Sequence, residues 1–378
     1  MPSKQGATMV LSQFVESLAY SRIPLRVQER ARLCLLDYLG AALVGSRSRE
    51  AGLARAFLAG LGGNPQATII GTGIKTSMPL AALANGIAGH VYEVDDAHSY
   101  ATGLHPGATI IPAVLAAGEY TGSTMEAMLT AMIAGYEVAG RVGRVINPSH
   151  RYRGFHSTGT VACLGAAAAA AKILGLGRQG IAWALGLAGS MAGGLFEFLQ
   201  DGSMSKLLHA GHAAAGGLMA ALLAGQGFTG PVTVIEGREG FCRAFADEYD
   251  LNQLTAGLGG RYEIENGYFK RHAACGHTFA AIDAALELHE LIQGREKDIR
   301  HITVKTYRAA AVLDKKKPET VREAKFSLPF VIALALIEGH AGFFDFVPFN
   351  LQNQALLDLA ARVDVIEDET LNASFPRQ

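Results

Sequence analysis

From Leu11 to about Gln226 the chain is a succession of apolar segments built on alanine and interrupted by glycine. Val27 to Leu43 carries apolar residues at three- and four-residue spacing and stops at Gly45. Thr160 to Leu174 is almost all alanine, the strongest helix former, and stops at Gly175. Ser205 to Gly225 repeats the pattern, closed by Gly225 and Gly227. Small side chains let helices approach closely, so this stretch predicts a tightly packed and largely buried helical bundle. Most individual glycines and alanines in it are expected to serve packing.

The chain has 378 residues, enough for two domains and a large core. Only 18% are charged against 49% apolar. That balance implies that much of the surface is covered, by the chain itself or by a second subunit. A net charge of -1 gives nucleic acid nothing to bind to, and the short Lys315-Lys316-Lys317 cluster reads as a solvated loop. The four cysteines, Cys34, Cys163, Cys242 and Cys275, are scattered without CxxC spacing. They predict reduced thiols in a cytoplasmic protein, with no disulfide frame and no structural zinc. The N-terminus lacks the pattern of a signal peptide. Apolar stretches such as Ile181 to Phe196 are glycine-rich and read as too short to span a bilayer.

Composition changes near Gly259. Tyr262 to Ile264 predicts a short strand, Phe279 to Leu291 a helix, and Ile302 to Tyr307 a β-branched strand. Residues 309–323 read as a charged loop, and Phe326 to Glu338 as a further helix. The expected fold class is therefore mainly α: a helical domain over 1–258 and a smaller α+β domain over 259–378. No internal repeat is evident.

Four segments concentrate polar chemistry in this apolar chain. The first runs from Asn85 through Glu93, Asp95, Asp96 and His98 to His105-Pro106-Gly107. Pro106 suits the first turn of a helix and puts His105 near its N-terminal end. That location attracts anions and lowers the pKa of a neighbouring histidine. It fits an acid or base beside a carboxylate substrate. A capped surface loop, or a metal site from Asp95, Asp96, His98 and His105, are the alternatives.

The second segment, Arg151 to Thr160, sets His156 at the entrance of the alanine helix. The alternative is that Ser157 or Thr158 simply caps that helix and His156 is incidental, and both can hold. In the third, Gly202 to His212, Lys206 opens an apolar helix, either snorkelling to solvent or held inward as a counter-ion. His209 and His212 lie three apart but lack obvious further zinc ligands, so they read as core or interface residues. The fourth, Phe269 to Thr278, places Lys270, Arg271 and His272 before a helix. It is either a carboxylate-binding group or a basic surface loop. Cys275 is a possible nucleophile with no histidine partner legible.

Several familiar motifs fail. Gly71 to Thr76 lacks the spacing of a phosphate-binding loop, Gly186 to Gly194 follows no strand, and neither GxSxG nor HExxH occurs. Nucleotide binding and zinc-protease hydrolysis are unsupported.

Taken in order, these segments resemble the MmgE/PrpD family, which includes 2-methylcitrate dehydratase, cis-aconitate decarboxylase and iminodisuccinate epimerase. The resemblance rests on Asp95-Asp96 with His105-Pro106-Gly107, on Gly154 to Gly159 before the alanine helix, and on Lys206 with His209-Ala210-Gly211 and Gly227 to Pro231. It continues through Cys275 to Thr278 with Ala281 to Ala285, and through Ala324 to Phe330. It covers most of the chain. It implies a large helical domain with a smaller α+β lid, a homodimer, and a site between the two domains that needs neither metal nor organic cofactor.

Carried over residue by residue, the resemblance implies His105, His156 and Lys206 as catalytic. It implies Asp95 or its neighbour Glu93, and Lys270 with Cys275 or His277 nearby, as substrate contacts; Arg153 is a further cation that would offset the substrate's charge. Three departures stand out. Phe330 and Phe279 occupy positions where the family often has tyrosine and histidine. The end at Gln378 implies an incomplete lid.

The expected partner is a small di- or tricarboxylate, with no nucleic acid and no membrane. The expected reaction is a cofactor-independent lyase step by acid/base chemistry, first of all a hydro-lyase of the 2-methylcitrate dehydratase type. In it one histidine moves the proton beside a carboxylate, the other protonates the leaving hydroxyl, and Lys206 offsets the enolate-like charge. Epimerisation of an amino- or imino-dicarboxylate, or decarboxylation, would use the same groups. A non-catalytic remnant is the remaining reading.

Overall fold

A computed structural model describes residues 6–292 and 294–375. The chain is mainly helical and divides into two compact units. The first comprises Met1–Val91, Asp95–Phe196 and Met204–Phe269, and the second Tyr92–Val94, Glu197–Ser203 and Lys270–Gln378.

In the first unit the alanine-rich segment forms the helix Val161–Ile173, in which every residue from Val161 to Ala171 is buried. A helix that is apolar all round belongs at a centre. Met125–Ile146, Ser205–Gly225, Gly107–Thr121 and Arg178–Met191 pack around it, and Met78–Gly89 lies against Ser205–Gly225. Ser205–Gly225 has 21 residues and is apolar enough to cross a bilayer by length and composition alone, which corrects the expectation that no stretch is long enough. Its apolar window is 72% buried within the protein, so it serves as a core helix.

The crossings depend on missing side chains. A Cβ on Gly86 would lie 2.8 Å from the Gly211 Cα on the facing helix. A Cβ on Gly135 would lie 2.8 Å from the Gly165 carbonyl oxygen. Backbone meets backbone at both points, and only glycine permits it.

Strands in this unit are short. Ala67–Thr68 pairs with Lys75–Thr76, and Ala97–His98 pairs with Gly267–Tyr268, both antiparallel. No strand forms at Tyr262 to Ile264; a 3-10 turn over Glu263–Asn266 takes its place. The Glu263 amide donates to Glu137 Oε2 at 2.8 Å, and its carboxylate faces Arg144 at 2.8 Å. Side chains therefore satisfy groups that a sheet ladder would otherwise engage.

The second unit is α+β. Ile302–Thr306 and Val363–Glu367 run parallel, with Ile302 opposite Val363 and Thr306 opposite Glu367. Phe279–Ile292 and Gln354–Ala360 pack on Leu328–Glu338. Leu328–Glu338 is apolar up to its last residue, Glu338; Ser327 caps it by accepting the Phe330 amide at 3.0 Å, and left-handed Gly339 ends it. The region 309–323 is not all loop, because Arg308–Ala311 and Val321–Lys325 are short helices. Thr320 accepts the Glu323 amide at 3.1 Å, an N-cap signal legible in Thr320-x-x-Glu323.

Gly86→Ala tests the backbone contact. In an open helix the change stabilises by about 0.5–1 kcal/mol. Here it is expected to destabilise by about 1–3 kcal/mol through overpacking. Gly73→Ala, with nothing within 4 Å of its Cβ position, serves as the control. Urea titrations of both variants read the difference, and equal midpoints would refute the close approach.

Candidate functional site

Four helix ends in the first unit hold the candidate site residues. His90 ends Met78–Gly89, and His105 precedes Gly107–Thr121. His156 stands in the turn before Val161–Ile173, while Lys206 and His209 lie in the first two turns of Ser205–Gly225. Their rings meet. His90 lies 4.8 Å from His105 and 6.2 Å from His156 by ring centroids; His105 and His156 are 6.5 Å apart, and His156 and His209 5.2 Å.

Asp95 joins two of these histidines. Its Oδ2 accepts from His90 Nδ1 at 2.7 Å and lies 3.3 Å from His105 Nδ1. His105 Nδ1 also donates to the Asp96 backbone carbonyl at 2.9 Å. A carbonyl only accepts, so the His105 proton sits on Nδ1. Neutral His105 then presents Nε2 as its proton acceptor. Burial alone would raise the Asp95 carboxyl, but His90 and His105 more than offset it and hold Asp95 well below the usual range.

Burial keeps the histidines neutral. His90 and His209 are each pushed down to about 4, and His156 well below its usual value. In all three desolvation is the largest cause, and the buried Lys206 ammonium adds to it. Lys206 is thus held inward rather than snorkelling. His156 and His209 share a hydrogen bond, Nδ1 to Nδ1, at 3.0 Å.

Ser157 and Thr158 do not cap the alanine helix, contrary to expectation. Ser157 donates to the Thr102 carbonyl and Thr158 to the Gly103 carbonyl, both at 2.7 Å. Thr158 Oγ1 also accepts the His105 amide at 3.1 Å. These bonds tie the His105 loop to the His156 turn.

Asp96 works beneath the cluster. Its Oδ1 accepts the Gly107 amide and its Oδ2 the Tyr136 hydroxyl, both at 2.8 Å. Burial, with Asp37 nearby, pushes its carboxyl up to about 7. His98 turns elsewhere, with Nε2 3.2 Å from Glu263. The metal set of Asp95, Asp96, His98 and His105 is therefore not assembled. His90, Asp95 and His105 do offer atoms within 4.8 Å of one another. The Nδ1 atoms facing the carboxylate carry protons, so the trio reads as a hydrogen-bonded relay.

Asp95, His105, His156 and Lys206 are thus brought together, and His90 and His209 join them. His90 was legible only as part of a polar segment, and His209 read as core or interface. Arg153 is not in the group, since it pairs with exposed Asp247 at 3.3 Å. Arg151 instead lies 3.7 Å over the Phe196 ring, which packs edge-on to His156 at 4.8 Å.

The remaining expected contacts belong to the second unit. Lys270 and Glu93 pair with each other at 2.9 Å, both side chains buried, and Glu93 takes a left-handed φ of 58°. Cys275 is buried, and its amide donates to the Lys325 carbonyl at 2.9 Å. His277 Nδ1 lies 2.7 Å from the Tyr307 hydroxyl. Phe330 is buried in the Leu328–Glu338 helix, and Phe279 packs edge-on to His272 at 5.2 Å.

Stability should fall with acidity. His90, His209 and His150 each titrate near 4 in the native chain, and His156 is also depressed. Unfolded histidine binds its proton near 6.5. Between pH 6.5 and about 4 the unfolded chain therefore holds more protons, and unfolding is favoured as pH falls. Asp96, raised to about 7, and Glu137, also raised by burial, act in the opposite sense but are two groups against four. A lower denaturation midpoint at pH 5 than at pH 7.5 is expected; a flat profile would contradict neutral buried histidines.

Comparison with known proteins agrees with this arrangement of ordered segments. The MmgE/PrpD N-terminal domain matches residues 10–254, and the MmgE/PrpD C-terminal domain matches 272–378. The expectation of an incomplete second domain finds no support in that second match. Cis-aconitate decarboxylase of Aspergillus terreus is 29% identical, with 97% of this chain and 79% of that protein aligned. A cis-aconitate decarboxylase-like protein of Aspergillus oryzae is also 29% identical, over 94% of this chain and 78% of its own. Human cis-aconitate decarboxylase is 27% identical, over 93% and 74%. With family matches on both sides of residue 260, the first of them covering more than half of the chain, the chain belongs to the MmgE/PrpD family.

Proposed function

We propose that this protein is a lyase that decarboxylates an unsaturated tricarboxylate of the cis-aconitate type by acid/base chemistry. The observation that carries the reading is the cluster of His105, His156 and buried Lys206 at the N-terminal ends of three helices. Helix N-termini and an inward ammonium favour an anion, and a small polycarboxylate is the anion that histidine chemistry can transform. The decarboxylase names of the relatives move the preferred reaction from loss of water to loss of CO₂.

The step balances with one proton. The bond between a methylene carbon and its carboxylate breaks, and its electron pair becomes a new double bond. The old alkene pair takes a proton at its far carbon, and CO₂ leaves. A histidine supplies that proton. Lys206 and the helix ends hold the remaining carboxylates and offset the charge that builds up in the transition state. Burial keeps His90, His156 and His209 neutral in the unliganded chain, and a trianion entering among them raises their proton affinity. The substrate thereby recruits its own acid.

The test supplies cis-aconitate and follows CO₂ release together with the five-carbon unsaturated dicarboxylate by NMR in D₂O. One solvent deuterium per product is expected. His156→Ala and Lys206→Met should each lower turnover by about 10²-fold or more. Alkene formation from 2-methylcitrate without CO₂ would transfer the assignment to a hydro-lyase. Deuterium exchange into an amino- or imino-dicarboxylate without an alkene would transfer it to an epimerase. Absence of turnover with every carboxylate, equal in parent and His156→Ala, would point to a non-catalytic remnant.

A further inference from the structure

His90 is the one member of the cluster that neither the motif nor the proposed step uses. Its ring is wholly buried. It sits between His105 and His156, edge-on to the first and stacked with the second. Its Nδ1 donates to Asp95 Oδ2 at 2.7 Å, and among the described residues its Nε2 has no hydrogen-bond partner. A buried imidazole with one satisfied nitrogen is costly unless that single bond matters.

We infer that His90 is a positioning residue: its Nδ1–H pins the Asp95 carboxylate so that the anion faces His105 and stabilises the imidazolium that delivers the proton. The geometry supports each link. One oxygen, Asp95 Oδ2, serves both rings, at 2.7 Å from His90 and 3.3 Å from His105. His105 Nδ1 cannot turn away, because the Asp96 carbonyl holds it at 2.9 Å. The Thr158 hydroxyl fixes the His105 backbone. Proton transfer at His105 therefore falls to Nε2, with Asp95 behind the ring.

His90 donates as a neutral ring, which leaves the Asp95 charge uncancelled. A cationic partner in that place would neutralise Asp95 and compete with His105 for it. The desolvation that depresses His90 is consistent with this neutral role. Other charged or titratable groups facing the pair are Lys206 from the Ser205–Gly225 helix, His156 and His209 beyond it, and Asp96 in the same loop. Asp96 is engaged by Gly107 and Tyr136.

The experiment has two arms, and only the first rests on the lyase reading. In it, pH–rate profiles of the parent, His90→Asn and His90→Leu are compared with cis-aconitate. Asparagine retains an N–H near the Nδ1 position; leucine does not. His90→Leu should lose about tenfold or more in kcat. Its basic limb should move to lower pH by about one unit, because a less firmly held anion favours the imidazolium less. His90→Asn should keep the parent limb. A uniform drop in kcat with all limbs unmoved would overturn the inference, since a merely structural role predicts that.

The second arm needs neither turnover nor variants that fold. Histidine ¹⁵N NMR of the parent protein reads ring tautomers directly. His90 should carry its proton on Nδ1 and stay neutral from pH 8 to pH 5, and His105 should carry Nδ1–H when neutral. An Nε2–H tautomer at His90, or titration of His90 near pH 6.5, would overturn the relay whatever the substrate proves to be.

Discussion

The candidate site depends on helices that touch through backbone. Gly86 against Gly211 and Gly135 against Gly165 leave no room for a methyl group, so the helix axes come closer than ordinary side chains allow. Close axes bring close ends. The C-terminal end of Met78–Gly89 and the N-terminal ends of three other helices then deliver His90, His105, His156 and Lys206 to one neighbourhood. Alanine-rich faces make this possible over whole helices rather than at single points, as in Val161–Ile173, where Val161 to Ala171 are all buried. The packing density of the core is thus also the means by which short side chains at loop ends reach one another.

A second constraint follows from burial. A charge removed from water needs a partner. Asp95 finds two in His90 and His105, and Asp96 finds the Gly107 amide and the Tyr136 hydroxyl. The adjacent carboxyls consequently diverge, one held low by histidines and one pushed up to about 7 by burial and Asp37. The histidines are depressed by the same desolvation, and Lys206 reinforces it. The result is a set of neutral bases beside a buried cation, an environment that an anionic ligand changes more than any other kind.

Much of this architecture was legible in one dimension. Ala-rich segments with glycine stops marked the helices at Leu25–Gly45, Val161–Ile173 and Ser205–Gly225 to within about two residues at each end. The β-branched run marked Ile302–Thr306. Tyr262 to Ile264 read as a strand, whereas the Glu137 carboxylate accepts the Glu263 amide and Arg144 pairs with the Glu263 side chain there. Arg153 misled in another way: basic residues two positions apart look equivalent in sequence, yet Arg153 meets Asp247 and Arg151 lies over Phe196. His90 passed unnoticed because a histidine at the end of an apolar helix carries no local signal of its partner.

The sequence by itself determined the helical character, the small-residue packing surfaces and the polar segments that hold His105, His156 and Lys206. Those properties are local, since propensity, periodicity and residue type are written in consecutive positions. Tertiary structure alone decided which of those groups share a hydrogen bond. It joined His90 and His105 through one oxygen of Asp95, set His156 against His209, and paired Glu93 with Lys270 across 177 residues. Hydrogen bonds act over about 3 Å, and contacts so distant along the chain exist only once the helices have packed.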